Sequence, residues 1–536
     1  MIWGVDFGTS TSLLSYSTRQ AVRTAPLGAT NNWIPSLAAV NSDRLLFGED
    51  AENESADTLI RGIKRSITEG NKSHITVGEG SQARDISVDE VILGLLRKVR
   101  TIAARTMGDD DVTARFGCPA MWDGVRRERL LELVSKAGFQ TQDELLVDEP
   151  VAACISWVEG QRTAGENIKG NVLVYDMGGG TLDVAVIHVD TLSGQAPKYF
   201  VKSSRGIDTA GEKIDQVIVD FLNLQVCAAK NISPGEATAG EKWLLRPARE
   251  MKEALSRRDR IETAFKHPVF GEMTLSLSAV ELRQIVQPIL DEAWASVMAA
   301  LRDAELTHYG PGTGVSYYDV FAKLQTGLLE RVDYVVLAGG MANMKAVRDD
   351  FLDRGIPETK IQIAGGRLGQ PNEAITRGLA EDLETQQLNL ARPAFHLEIH
   401  WNQESTSLDG KVRIYEAYSP LYEQADAGVI PHFRWSRSPE IPNSAAAELK
   451  IVDTRTGNSV PFADRNSRET QYVIDFYMHN LKHITLAPNG VLQVVGGNRT
   501  PHLRIASWPI LKNSDDQAVE VVPVRESEPY LPMWWE

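Results

Sequence analysis

The stretch Val172 to Ile187 constrains the fold more than any other part of this chain. Two β-branched, apolar runs flank a turn of three glycines, Gly178, Gly179 and Gly180. Such a segment is expected to be a strand–turn–strand hairpin. Glycines let backbone N–H groups approach a ligand with no Cβ in the way, as a phosphate requires. Asp176 closes the first run, and Thr181 and Asp183 open the second. Carboxylates do not bind phosphate. Their place at the lip makes sense if Mg²⁺ lies between, or if one of them orients an attacking water. Ile2 to Tyr16 repeats the pattern, with Asp6, Gly8 and Thr11 matching Asp176, Gly178 and Thr181 at one offset. A lone glycine triplet marks an ordinary hairpin. Two copies imply two similar half-domains facing each other across a cleft.

A chain of 536 residues is too long for one core, so two to four domains are expected. The formal charge of −16 argues against general binding to nucleic acid or to an anionic membrane. Its plainest meaning is solubility. The three cysteines, Cys118, Cys154 and Cys227, lie far apart, without the spacing of a zinc site or a disulfide framework. A reducing, cytoplasmic compartment fits. The N-terminus enters a strand at Ile2, with no sign of a signal peptide. No apolar run approaches the roughly 18 residues that span a bilayer. The Gly-rich loop ending in Gly-Lys-Ser/Thr is absent, so a nucleotide site here is of another kind.

Strands and helices alternate over the first 384 residues. Apolar residues recur at helical spacing from Val88 to Thr106 and from Gly124 to Ala137. Leu37 to Phe47 is expected to be strand, turn, strand, and short strands are expected at Thr113 to Pro119, Leu145 to Val147 and Tyr199 to Ser203. Helices are expected over Ile214 to Ala229, Glu241 to Arg257, Ser278 to Leu306 and Asn343 to Leu352. Residues 307–330 look like an insertion. Tyr334 to Gly340 is a buried strand running into a glycine turn. This pattern predicts α/β layers with a largely covered sheet. Near residue 385 the helical spacing stops. Short alternating runs separated by Gly, Pro, Asn and Asp predict an all-β domain over 394–512. Residues 513–536 form an acidic tail ending in Trp534, Trp535 and Glu536, either a docking peptide or a strap on the β domain.

Together these motifs resemble the 70-kDa heat-shock chaperone (Hsp70, DnaK-like) family of the actin-like ATPase superfamily. Gly4 to Ser10 looks like the family's first phosphate motif, and Val174 to Asp183 is nearly its second. Leu337 to Met341 is similar to its adenosine motif and Glu149 to Ala153 to its connecting segment. Gly62 to Ile67 resembles the stretch with the catalytic lysine. The C-terminal match is confined mainly to Asn489 to Val494. The resemblance implies an actin-like fold, two RNase H-like half-domains around a cleft, over 1–384. A linker over 385–393 and a β-sandwich-like domain over 394–512 would follow.

Carried over residue by residue, the resemblance implies that Asp6 and Asp176 hold Mg²⁺ through its waters. Gly8, Thr9 and Ser10 would lie against the phosphates of ATP or ADP, facing Gly178, Gly179 and Gly180. Lys64 would neutralise charge on the transferred phosphoryl group. Glu149 and Asp183 would act around the water and the metal, with Thr181 near the γ-phosphate. Gly211, Glu212, Lys252 and Ser256 would contact the ribose and adenine, with Lys252 and Ser256 one turn apart on one helix face. Gly339, Gly340, Met341 and Asn343 would border the ring.

The chain departs from the pattern at Arg249, Glu253, Asn343 and Asn372, all on the adenosine side. The linker keeps Leu388, Leu390 and Pro393 but lacks the family's acid. Pro119 and Arg126 resemble a relay that couples the domains. The family's long helical lid has no counterpart in the residues after 512. The expectation is therefore a slow, Mg²⁺-dependent ATPase, a lidless chaperone binding extended peptide or one client. Its partners would be a client and a J-domain or nucleotide-exchange protein. A nucleotide-gated scaffold with one fixed partner is the alternative. A filament-forming ATPase and a sugar kinase fit less well.

Overall fold

The computed structural model describes residues 2–505 apart from 19–20, 42–43, 56, 71–72, 79–82, 109–112, 123, 141–145, 192–196, 238–242, 309–326, 366–368, 382–386, 390–394, 403–408, 418–422, 426–427, 431–432, 437–445, 454–457, 465–469, 472, 478–480, 487–490 and 496–501. Two sheets dominate the first 389 residues. The first runs in the order Leu146–Asp148, Thr113–Cys118, Ile2–Phe7, Thr11–Ser17, Val22–Thr24, with Trp33–Pro35 also paired to Thr11–Ser17. The second runs Ile361–Ile363, Tyr334–Ala338, Lys169–Met177, Leu182–Asp190, Lys198–Ile207, Gln387–Asn389.

The two sheets repeat one topology. In each, the central strand pairs antiparallel with the strand that follows it. Its other neighbour is parallel, and the next pair outward is parallel again. Each central strand carries its aspartate, Asp6 or Asp176, as the last residue but one. Both strands are buried along most of their length, which is why they read as continuous apolar runs.

Two helices, Glu149–Thr163 and Ala374–Ala380, carry the chain between the two lobes, and they touch. The helix Glu149–Thr163 leaves the first sheet, yet it buries Val151, Ile155 and Val158 with Val172, Val174 and Ile187 of the second. The helix Ala374–Ala380 follows the second sheet and lies on the first, where Thr376 Oγ1 donates to the Gly4 carbonyl at 2.6 Å. A Cβ at Gly378 would overlap the carbonyl oxygen of Ala152. The backbones approach too closely for any side chain. Gly378→Ala is therefore expected to destabilise the chain by about 2–3 kcal/mol, because the overlapped atom belongs to rigid backbone. A thermal melt superimposable on wild type would disprove the close approach.

Some expectations need correction. The helix foreseen over Glu241 to Arg257 is confined to Leu245–Ala254. Pro247 is the third residue of this helix, in the first turn, where the missing N–H breaks no intrahelical bond, so a start just before it is favoured. At the other end, period-2 alternation from Arg260 takes over. Arg260–His267 and Gly271–Ser278 form an antiparallel hairpin that was not anticipated. The helix Ala279–His308 runs to the edge of the expected insertion. Most of 307–330, and the whole tail 513–536, lie outside the described residues.

From Phe395 onward every named element among the described residues is a strand. Asp409–Tyr415, Phe395–Asn402, Ala446–Asp453 and Ile474–Tyr477 form one sheet. Phe433–Ser436, His483–Leu486, Val491–Val495, His502–Ile505, Phe462–Asp464 and Thr470–Gln471 form another. Leu397, Ile399, Leu449 and Ile451 of the first share one apolar cluster with Ile484, Leu486, Leu492 and Val494 of the second.

His396 alternates with the cluster residues Phe395 and Leu397 along its strand, and Ala417 N–H donates to its Nδ1 at 3.1 Å. That bond needs a neutral ring. Burial, helped by Arg413, pushes its pKa down to about 4 from 6.5, against the pull of Glu398. The unfolded chain therefore takes up this proton first. The stabilisation from the neutral ring is complete above about pH 6.5 and is lost as pH falls towards about 4. Melts of wild type and His396→Gln across this range should converge as pH falls. A difference independent of pH would overturn this.

Candidate functional site

The two glycine turns meet. A Cβ on Gly180 would lie 2.5 Å from Thr9 Oγ1, and one on Gly179 would overlap Ser10 Oγ. The second turn is held on its own side as well. Gly178 N–H donates to the Thr181 carbonyl at 3.1 Å. Gly211 N–H and Glu212 N–H donate to the carbonyls of Gly178 and Gly179 at 3.1 and 2.7 Å. Gly211 and Glu212 open the helix Gly211–Lys230, so a helix N-terminus is bonded directly to the turn. The first turn is anchored by Ser36 N–H donating to the Ser10 carbonyl at 2.9 Å.

Side chains converge on this meeting point. Asp176 and Asp183 lie directly opposite each other across the second hairpin. Asp183 Oδ1 accepts from Ala120 N–H at 2.6 Å, and its Oδ2 accepts from Thr181 Oγ1 at 2.8 Å. Lys64 and Glu149 form a buried ion pair. Glu149 opens the first crossing helix, while Lys64 caps the short helix Arg65–Glu69. Asp6, Lys64, Glu149, Asp176 and Asp183 are all buried.

Four carboxylates thus surround one ammonium in a site of low dielectric. Burial, then the field of Glu149, raises Asp6 to about 7. The same two causes raise Asp183 to about 8, against the lowering by its hydrogen bonds. Asp176 is raised well above the ordinary range, first by burial and then by Glu149, Asp183 and Asp6. Its Oδ1 is buried with no hydrogen-bond partner among the described residues. An unpaired buried carboxylate oxygen is costly. The donor set, hard oxygens with excess negative charge, fits Mg²⁺. Among the described residues no three ligand-type side chains form a preformed cation cage.

The nucleoside end differs from expectation. Lys252 is bound to Asp215 in a buried ion pair, and Arg249 Nε donates to the same carboxylate at 2.7 Å. Ser256 lies beyond the last turn of the helix that bears Lys252, so the two do not share a helix face. This follows from the shorter helix. Gly339 has φ of +77°, and a Cβ there would come within 2.5 Å of Asp176 Oδ1. Gly340 is open, with nothing within 4 Å of an added Cβ. Met341 and Asn343 belong to the 3₁₀ turn Gly340–Asn343 that follows. Arg65 bridges the lobes, 3.1 Å from Glu212 and 3.7 Å from Asp208.

The family model described as Hsp70 protein matches residues 2–309, more than half of the chain. The chain belongs to the Hsp70 family. Its kinship with individual Hsp70 proteins is distant. It is similar to the chaperone protein DnaK of Thermosipho melanesiensis, 24% identical over 389 residues, which cover 70% of this chain and 58% of that protein. The chaperone protein HscA homolog of Pseudomonas aeruginosa is 24% identical over 367 residues, 64% of this chain and 52% of that protein. The HscA homolog of Pseudoalteromonas atlantica is 25% identical over 326 residues, 56% and 49%. The chain thus spans about half the length of the curated Hsp70 relatives it matches. Family membership implies the actin-like ATPase fold, and the duplicated sheet topology agrees with it. No described helix is long and apolar enough to cross a membrane.

Sequence reasoning missed several members of this Hsp70 site. Asp215 holds Lys252 and Arg249, but a lone acid within an amphipathic helix carries no signal. The buried arginine of the helix Gly124–Lys136 is Arg127, paired with Asp148, rather than Arg126, whose Nε donates to the Thr68 carbonyl at 2.7 Å. Asp148 also accepts from Ser204 Oγ at 2.7 Å, which ties the first sheet to the second just before Glu149.

Proposed function

We propose that this chain binds ATP with Mg²⁺, hydrolyses it slowly, and uses the cycle to control an Hsp70-like chaperone activity of its β-rich part. The observation that carries this is the convergence of two facing glycine turns, four buried carboxylates and Lys64 on one point. Such a point suits phosphoryl transfer, where positioning and charge neutralisation supply most of the catalysis.

In this reading Gly8, Thr9 and Ser10 hold the phosphates from one side and Gly178, Gly179 and Gly180 from the other. Mg²⁺, held through its waters by Asp6 and Asp176, would neutralise phosphate charge. Lys64 leaves Glu149 to meet the transferred group. Asp183, Glu149 and Thr181 orient the attacking water. Gly211, Glu212, Lys252, Ser256, Gly339, Gly340, Met341 and Asn343 border the nucleoside, and the Asp215 pair lowers the charge that Lys252 offers the ribose. The domains are 1–384, a linker over 385–393 and a client-binding part over 394–512, in a cytoplasmic protein that works with a J-domain or nucleotide-exchange partner. Gln387–Asn389 pairs in parallel with Lys198–Phe200 on the edge of the second sheet. This pairing supports coupling, although the linker lacks the family's acid.

Single-turnover hydrolysis of ATP by the full chain, with Mg²⁺ and with chelator, tests the reading. Turnover is expected only with Mg²⁺, and no turnover in either condition ends the proposal. Hydrophobic peptides should accelerate it. An active enzyme indifferent to every peptide in a broad set would favour the nucleotide-gated scaffold.

A further inference from the structure

Lys64 has a neighbour that carries no charge. Its ammonium lies 5.7 Å from the ring centroid of Trp122, within the range of a cation–π contact. Trp122 is fully buried and held at three points. Its backbone N–H donates to the Pro119 carbonyl at 3.0 Å. Its own carbonyl accepts from Arg127 Nε at 2.9 Å. Its indole N–H donates to Thr68 Oγ1 at 3.0 Å. Thr68 lies one turn after Lys64, and its N–H reaches the Lys64 carbonyl at 3.4 Å. The ring and the lysine are thus fixed to each other through Thr68 as well as through space.

A buried ammonium needs a counter-charge at every stage of a reaction. With Glu149 it has one, and Asp6 and Asp183 add to the field. To serve a phosphoryl group, Lys64 must loosen from Glu149, and for that interval its hydrogen-bond partners change. An aromatic face attracts the cation without claiming a hydrogen bond. It can therefore hold the ammonium in place while its N–H groups pass from carboxylate to phosphate. A leucine, which is smaller, would offer only apolar surface to the charge, which is unfavourable.

We propose that Trp122 is a positioning residue for Lys64, holding the ammonium by its ring face while the ammonium exchanges Glu149 for the transferred phosphoryl group. This rests on the reading of the cleft as an ATPase site. Two measurements on full-length Trp122→Phe, Trp122→Leu and Thr68→Val keep the two claims apart.

The first measurement is single-turnover hydrolysis with nucleotide affinity measured separately. Trp122→Leu is expected to lose about five- to thirty-fold in rate with affinity nearly unchanged. Trp122→Phe should recover most of that, because it keeps a ring, and Thr68→Val should lie between. The second measurement needs no turnover. Protein carrying ¹³C at the lysine ε-carbons, with Lys64 assigned through Lys64→Arg, reports whether the two ε-protons of Lys64 are inequivalent, as a fixed side chain requires. Inequivalence should survive in Trp122→Phe and collapse in Trp122→Leu. If wild type hydrolyses nothing, the ATPase reading fails and the resonance still decides the role of Trp122. Retained inequivalence in Trp122→Leu overturns the proposal. So does a rate loss that merely follows the melting temperature across the three variants.

Discussion

Lys64→Ala is expected to lower single-turnover ATP hydrolysis by about 100- to 1,000-fold, with nucleotide affinity changed only a few-fold. The magnitude follows from where the charge is. Lys64 and Glu149 are both buried, so no water stands ready to replace the ammonium beside the developing phosphate charge. Removing it also leaves Glu149, Asp6, Asp176 and Asp183 without the one cation that the described residues set against all of them. Lys64 is raised in pKa by Glu149 and Asp6 despite its burial, so it remains charged over the working range. On the proposed reading the affinity is spared, because the backbone of the two turns and the nucleoside side would make most of the binding contacts. Rapid-quench measurement of one turnover, with affinity from titration calorimetry, separates the two effects. Equal rates in wild type and Lys64→Ala would remove Lys64 from the chemistry.

Asp176→Asn is expected to have opposite effects on activity and on the empty protein. Hydrolysis with Mg²⁺ should fall by about 100-fold or more, since a carboxylate that would hold the ion through water becomes a neutral amide. The nucleotide-free chain should melt at the same temperature or higher. Asp176 Oδ1 is buried without a partner among the described residues, and its charge is opposed by burial and by three neighbouring carboxylates. An amide relieves both costs. Differential scanning calorimetry without nucleotide, beside the kinetic assay, gives both readouts. A variant that loses stability and activity together would mean that Asp176 is structural.

The motifs that announced the cleft were legible because each is local. A buried strand shows as an apolar run, and a turn that must approach phosphate shows as glycine. Asp176 and Asp183 are seven residues apart, and the hairpin alone places them opposite each other. The helices Val88–Met107 and Ala279–His308 were legible because their period persists over many turns. The crossing helix Ala374–Ala380 is only 7 residues long and buried all round, so it shows no amphipathic period. The hairpin Arg260–Ser278 has a weak apolar face and many exposed positions, so it gave no clear strand signal. The adenosine side was misjudged for another reason. Asp215 meets Arg249 and Lys252 across 34 and 37 residues, and no local pattern records a pairing at that distance. Trp122 went unmarked in the sequence for the same reason, since what distinguishes it is a lysine from another segment.

The strand Gln387–Asn389 also bears on solubility. It forms the outer rim of the second sheet, next to Lys198–Phe200. A sheet rim with unpaired N–H and C=O groups is a template for pairing with other chains. While these three residues sit there, the strand Lys198–Ile207 has no free backbone at that end, and exposed Lys198 adds charge beside it. The short segment between the two-sheet part and the β-rich part thus also guards against edge-to-edge aggregation, and any state that pulls it away opens a sticky seam.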